Sequence, residues 1–199
     1  MSGRLIAIEG IDGAGKTTQA RKLVKWLRSK GLKARYTIEP TRGSIGRVLR
    51  EMALKRDVDP RVEALLFAAD RLEHLRRIIE PLMLRGFIVV SDRYVHSSLA
   101  YQSVTTGDGR WVSELNKFAR RPDLAILLDL EPRLGLGRIR RRKRARFEEE
   151  DLLKRVRDRY LELARDGELE VIDASQDPDK VFEDIKTLVE ERVLSLGRQ

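Results

Sequence analysis

The sequence predicts an α/β fold: three layers, with a five-stranded, mostly parallel sheet flanked by helices. Three observations carry this. Short apolar runs of strand length recur along the chain, separated by segments with helical spacing. Two of the runs, Phe87–Val90 and Leu124–Leu128, are continuously apolar, as expected of parallel strands buried on both faces. A glycine-rich turn at residues 10–17 stands between the first strand and the first helix.

Taken in order, Arg4–Glu9 is a short apolar run and predicts the first strand. Thr18 to Lys30 carries Leu23, Trp26 and Leu27 at helical spacing. Residues 33–39 read as a second strand, turned by Pro40 to Gly43. Ile45, Val48, Leu49 and Met52 have helical spacing, and a longer helix is predicted from Pro60 to about Leu84. Pro81 should kink or shorten its end and Gly86 should stop it. After the strands at 87–90 and 124–128, helix is predicted over 151–165, strand over 169–172 and helix over 178–194. No internal repeat or long linker interrupts the 199 residues, so a single domain over 1–199 is expected.

Composition narrows the setting. No apolar run approaches the roughly 20 residues of a membrane span. The first strand begins almost at once, which leaves no room for a signal peptide. There are no cysteines, so disulfides and thiolate metal sites are excluded. A cytoplasmic protein without a membrane partner is expected. The net charge of +9 raises nucleic acid as a partner. However, Arg138, Arg140, Arg141, Arg142, Lys143, Arg144 and Arg146 put seven positive charges into nine residues. Without them the balance is +2 (9 less 7), so the excess is a local patch and no nucleic acid is expected.

Residues Gly10, Ile11, Asp12, Gly13, Ala14, Gly15, Lys16 and Thr17 fit G-x-x-x-x-G-K-[ST], the P-loop motif, followed by Thr18. Its glycines let successive backbone N–H groups point inward at an anion, and the following helix adds its positive end. Lys16 would reach the outer phosphates of ATP, and the Thr17 hydroxyl would ligate Mg²⁺. In an open α/β sheet, ligands sit beyond the carboxyl ends of the strands. Glu39, the triplet Asp92-Arg93-Tyr94 and Asp129 each follow an apolar run and should converge there with the loop. Asp92 stands where such proteins carry a carboxylate near Mg²⁺, acting through water or by orienting Arg93. Arg93 offers a bidentate fork to a second phosphate. One strand end thus suits two phosphorylated ligands facing each other.

The segment Val90-Ser-Asp-Arg-Tyr-Val-His-Ser-Ser-Leu-Ala-Tyr-Gln102 resembles the signature of thymidylate kinases. Leu66-Phe-Ala-Ala-Asp-Arg71 is similar to that family's base-contacting helix, Glu9–Thr18 to its P-loop, and Glu39-Pro-Thr-Arg-Gly43 to the loop after its second strand. The resemblance implies the three-layer P-loop NTPase fold and the reaction ATP + dTMP to ADP + dTDP. It implies that Phe67 stacks on thymine and Arg71 bonds a base carbonyl, an aromatic and an arginine one helical turn apart. Arg93, together with Arg42, would hold the dTMP phosphate. Asp12 would meet the sugar 3′-hydroxyl and Tyr101 would crowd its 2′ position. Glu39, Ser97 and Gln102 would complete the acceptor site.

Some members of that family carry an arginine directly after the acidic P-loop residue, and in others a mobile lid supplies it. Here that position is Gly13, and the arginine run falls in the lid's place, at about 136–150. The resemblance therefore implies the lid-arginine subtype. Arg138, Arg142 and Arg146 share one spacing, and Arg140 and Arg144 form an alternative pair; Arg140, Arg142 and Arg144 are the catalytic candidates with Lys16, Asp92 and Arg93. His74 and His96 are expected to pack or lie on a helix surface. Family members are generally homodimers, and Leu65, Leu66, Leu72 and Leu75 offer an apolar face that core packing explains equally well. Kinases for other nucleoside monophosphates and deoxynucleosides remain rivals, as does a nucleic-acid-associated ATPase.

Overall fold

The computed structural model describes residues 3–54, 58–138 and 146–195. Five strands form one all-parallel sheet in the order β2-β3-β1-β4-β5. They are β1 (Arg4–Glu9), β2 (Ala34–Ile38), β3 (Ile88–Asp92), β4 (Leu124–Asp129) and β5 (Glu170–Asp173). The central strand pairs Ile6 with Val90 on one side and Leu124 on the other. Leu5, Ile6, Val89, Val90, Ile126 and Leu128 are fully buried, which is why these runs lack polar alternation.

Among the described residues, nine α-helices cross between the strands or flank them: α1 (Lys16–Ser29), α2 (Ser44–Met52), α3 (Pro60–His74), α4 (Glu80–Leu84), α5 (Val95–Thr106), α6 (Gly109–Leu115), α7 (Pro132–Arg138), α8 (Arg146–Arg165) and α9 (Pro178–Val189). Helix α3 does not stop before Pro81. It continues through a π turn at Leu75–Ile79 into α4. Proline lacks the N–H an α-helix needs and its ring crowds the carbonyl four residues back; the widened turn lies over that stretch. Gly86, at φ 76, ends the helix as its sequence position predicts. A second π turn, Glu190–Leu194, extends α9.

Helix α8 starts five residues before the predicted position, at Arg146. Helices α5, α6 and α7 were not legible as helices. Helix α5 buries Ser97, Ser98, Gln102 and Ser103 beside Ala100, so polar residues occupy its inner faces and no clean apolar stripe remains. Its packing against α3, α6 and α8 sets the floor of the cleft at the sheet's carboxyl edge.

Candidate active site

The cleft begins where β1 ends. Gly10, Gly13 and Gly15 all have positive φ, which turns the loop on itself before α1 starts at Lys16. The Lys16 ammonium donates to the Ile11 carbonyl at 2.7 Å across the loop. Burial, then the charge of Arg93, lowers its pKa from 10.5 to about 7. The Thr17 hydroxyl donates to Asp92 Oδ2 at 2.5 Å, so the end of the loop and the end of β3 share one oxygen cluster. The Tyr36 hydroxyl donates to the same Oδ2 at 3.0 Å. Asp92 is thus engaged by Thr17 and Tyr36 rather than by its neighbour Arg93.

Arg93 is the one described non-glycine residue with positive φ, at 69°. That conformation costs about 1–2 kcal/mol for a residue with a Cβ. It swings the side chain back over the P-loop. Nη2 donates to Asp12 Oδ1 at 2.5 Å, and Nη1 to Ser97 Oγ at 3.0 Å and the Gly10 carbonyl at 3.3 Å. The guanidinium lies 4.9 Å from the centre of the Tyr101 ring, with Nη2 3.4 Å from that hydroxyl. Burial opposes the charge, but Tyr101, Tyr160 and Asp12 hold the Arg93 pKa well above its ordinary value.

Ser97 is bonded beneath Arg93. It donates to Glu9 Oε2 at 2.6 Å and lies 2.9 Å from the Tyr160 hydroxyl. Glu9, fully buried at the end of β1, also accepts the Tyr94 N–H at 2.8 Å. Glu9 and Tyr160 therefore support the arginine from below. Neither stood out in the sequence, although a glutamate closing an apolar strand was a usable signal.

On the other side of the cleft, Arg71 is fully buried and donates through Nε to Glu39 Oε2 at 2.9 Å. Phe67 lies one turn away on α3, half-buried and outside the main core. Gln102 is buried. Arg42 is exposed and makes no hydrogen bond or ion pair among the described residues. Thr18 is exposed on the first turn of α1. Asp129 is held bidentately by Arg157 of α8 at 2.7 and 2.9 Å, which ties that helix to β4. His74 and His96 are both buried, so the surface alternative for them does not hold.

Helix α7 closes the far side. Arg138 donates to the Ala174 carbonyl from Nη1 at 3.3 Å and Nη2 at 3.2 Å, and lies 3.4 Å from the Gly13 carbonyl. Arg140, Arg142 and Arg144 lie outside the described residues, as do Arg141 and Lys143. No group of three or more His, Cys, Asp or Glu side chains that could hold a metal occurs among the described residues. Any cation here would rely on Thr17, Asp92 and its ligand's own oxygens. No described helix is long and apolar enough to cross a membrane.

The glycine-rich loop with Lys16 thus faces Arg93, Ser97 and Tyr101 across the Asp12–Arg93 contact. The sequence profile of the family described as Thymidylate kinase matches residues 8–185. Similar proteins include the probable thymidylate kinase of Thermococcus gammatolerans, 42% identical over 97% of this chain and 99% of its own. Those of Pyrobaculum aerophilum and Pyrococcus abyssi are 44% and 41% identical, over 92% and 98% of this chain and 95% and 100% of their own.

Proposed function

Because this chain belongs to the thymidylate kinase family, we propose that it transfers the γ-phosphoryl group of ATP to dTMP, giving ADP and dTDP. The observation that carries this reading is the Arg93–Asp12 pair at 2.5 Å. A strained arginine on β3's exit is held against the P-loop, where one cation can face both the donor's terminal phosphate and an acceptor phosphate.

In the proposed reaction an oxygen of the dTMP phosphate attacks the γ-phosphorus, and the bond to the β–γ bridging oxygen breaks. The attacking phosphate is largely deprotonated near neutral pH, so no strong general base is needed. The loop amides and Lys16 bind the ATP phosphates, and Arg93 holds the dTMP phosphate. Asp12 and Tyr101 meet the acceptor sugar, while Phe67 and Arg71 read the base, with Glu39, Gln102 and Arg42 around it. Ser97 acts beneath Arg93. The Thr17 hydroxyl and Asp92 carboxylate suit Mg²⁺, which favours hard oxygen ligands, keeps several waters and shares its remaining positions with phosphate. Bound Mg²⁺ would offset phosphate charge.

The remaining charge is assigned to the lid at about 136–150, with Arg140, Arg142 or Arg144 reaching the transferring group and lid closure excluding water. The lack of room for a side chain at Gly13 supports this assignment. We also propose a cytoplasmic homodimer, paired through α2, α3 and the π turn that follows it, where Val48, Leu65, Leu72 and Ile78 are exposed. Leu75 is buried in the core and Leu66 is half-buried, so they contribute less to that face. Sedimentation at micromolar concentration should give a dimer.

An ADP-release assay across all nucleoside monophosphates tests the reaction. dTMP should give the highest kcat/KM. Preference for another monophosphate, or ATP turnover stimulated by DNA or RNA, would overturn the reading.

A further inference from the structure

Behind the base-facing helix lies a buried polar network that the reaction itself does not call for. Arg71 bonds Glu39 through Nε at 2.9 Å, the Tyr94 carbonyl through Nη2 at 3.2 Å, and Asn116 Oδ1 through Nη1. The second Glu39 oxygen lies 3.0 Å from His74 Nδ1, and His74 Nε2 lies 2.6 Å from Thr37 Oγ1. Asn116 Nδ2 donates to the Val112 carbonyl at 2.8 Å. Arg71, His74, Glu39 and Asn116 are all buried, and they come from α3, the end of β2 and the end of α6.

We infer that Asn116 and His74 are positioning residues that fix the Arg71 guanidinium, and with it the preference for the acceptor base. The inference rests on the proposed role of Arg71 as base reader. A buried ion pair is weak as a source of stability, because desolvation offsets the attraction. Four polar side chains drawn from three elements therefore call for another account, and geometry supplies it. An ionised Glu39 only accepts, so Nδ1 of His74 carries the proton. With Nδ1 donating, Glu39 is anchored through both oxygens. Asn116's amide nitrogen is committed to Val112, which leaves its oxygen for Arg71.

A guanidinium has five N–H donors and no acceptor. Held still, it can bond a base carbonyl but meets an exocyclic amino group as a donor against a donor. Free to swing, it would turn away and the mismatch would relax. Discrimination between thymine and cytosine thus depends on what immobilises Arg71. Phe67, four residues earlier on the same helix, is fixed relative to it by the backbone.

The test compares dTMP and dCMP steady-state kinetics for the full-length enzyme and its Arg71→Gln, Asn116→Leu, His74→Leu and His74→Asn variants, with thermal melts of each. Asn116→Leu and His74→Leu should raise the dTMP KM about tenfold or more, from loss of a bond to a charged group. Their kcat should stay within about threefold, and the dTMP-to-dCMP ratio of kcat/KM should fall about tenfold. His74→Asn keeps a donor near Nδ1 and should restore both within about threefold. Folded leucine variants that keep the dTMP KM and the ratio within about twofold would overturn the inference. Should they not fold, Asn116→Ala, which removes its bonds to Arg71 and Val112, and Thr37→Val, which removes the bond to His74, add no bulk and are read by the same criteria. If Arg71→Gln itself leaves the ratio unchanged, the base-reading role falls and takes the inference with it. If Arg71→Gln collapses the ratio while the other variants do not, only the positioning roles fall.

Discussion

Gly13 of the P-loop and Gly135 of α7 meet backbone to backbone. A Cβ on Gly13 would lie 2.3 Å from the Gly135 carbonyl oxygen, and one on Gly135 would lie 2.5 Å from the Asp12 carbonyl oxygen. Gly13 also sits at φ 85. Any side chain at position 13 would drive α7 off the loop, so the glycine-rich loop and α7 are fitted together through the absence of side chains on both.

Gly135→Ala should therefore impair the enzyme although it adds one methyl group. The colliding atom is backbone and cannot rotate away. Overpacking of this kind costs about 1–3 kcal/mol. Turnover should fall about tenfold or more, because the shift is delivered to Asp12 and the loop. Melting curves and steady-state rates check this; unchanged rates would mean the contact is slack.

Alanine replacement of Arg140, Arg142 and Arg144, singly and in pairs, should find at least one that lowers turnover about 10³-fold. Gly13→Arg should not rescue that loss, since position 13 has no room. Losses under about tenfold for every single and paired variant would remove the lid from the proposed mechanism.

Arg93→Ala should cost about 10³-fold or more in turnover. Arg93→Lys should recover little of it. A lysine ammonium cannot span Asp12, Ser97 and the Gly10 carbonyl at once or stack on Tyr101 as a planar guanidinium does. Single-turnover measurement separates this chemical loss from weakened binding.

Lys16 titrates near pH 7 in the free protein, lowered first by burial and then by Arg93. Below that pH it is charged, and above it the ammonium is lost until phosphates restore it. ATP binding should therefore take up about one proton at pH 8 and almost none at pH 6. Calorimetry in buffers of different ionisation enthalpy reads this directly, and Lys16→Met should abolish it. The folded pKa lies below the unfolded one, so the unfolded chain binds the extra proton between the two. Lys16's penalty on stability is then full below about pH 7 and is relieved as pH rises toward 10.5.

Thymine and uracil differ by one methyl group, worth about 1–3 kcal/mol, or roughly 10–200-fold. dUMP should be a poor but measurable substrate, and dCMP should be poorer still. Equal kcat/KM for dCMP and dTMP would defeat the base-reading assignment.

The sequence by itself determined the layers and which polar residues gather at the carboxyl edge of the sheet. Continuous apolar runs announced parallel strands because both faces of those strands are buried, and the glycine spacing at 10–17 announced a tight loop between β1 and α1 because only a side-chain-free backbone turns so tightly. Lys16, Thr17, Asp92 and Arg93 follow from that placement, since residues at strand exits must gather on one edge. Helix α5 escaped notice because its buried face is polar; the helical run from Pro60 to Leu84 was legible, and only the π turn at Leu75–Ile79 within it has no sequence code. Only the tertiary structure decided which partner each polar group takes. Asp92 bonds Thr17 and Tyr36 instead of Arg93, Ser97 serves Glu9 and Arg93, and Asn116 reaches Arg71 across 45 residues of chain. Hydrogen bonds are settled by distances of a few tenths of an ångström between elements far apart in sequence, and residue spacing carries no record of those distances. The same holds for Gly13 and Gly135, whose fit is a fact about two backbones in contact.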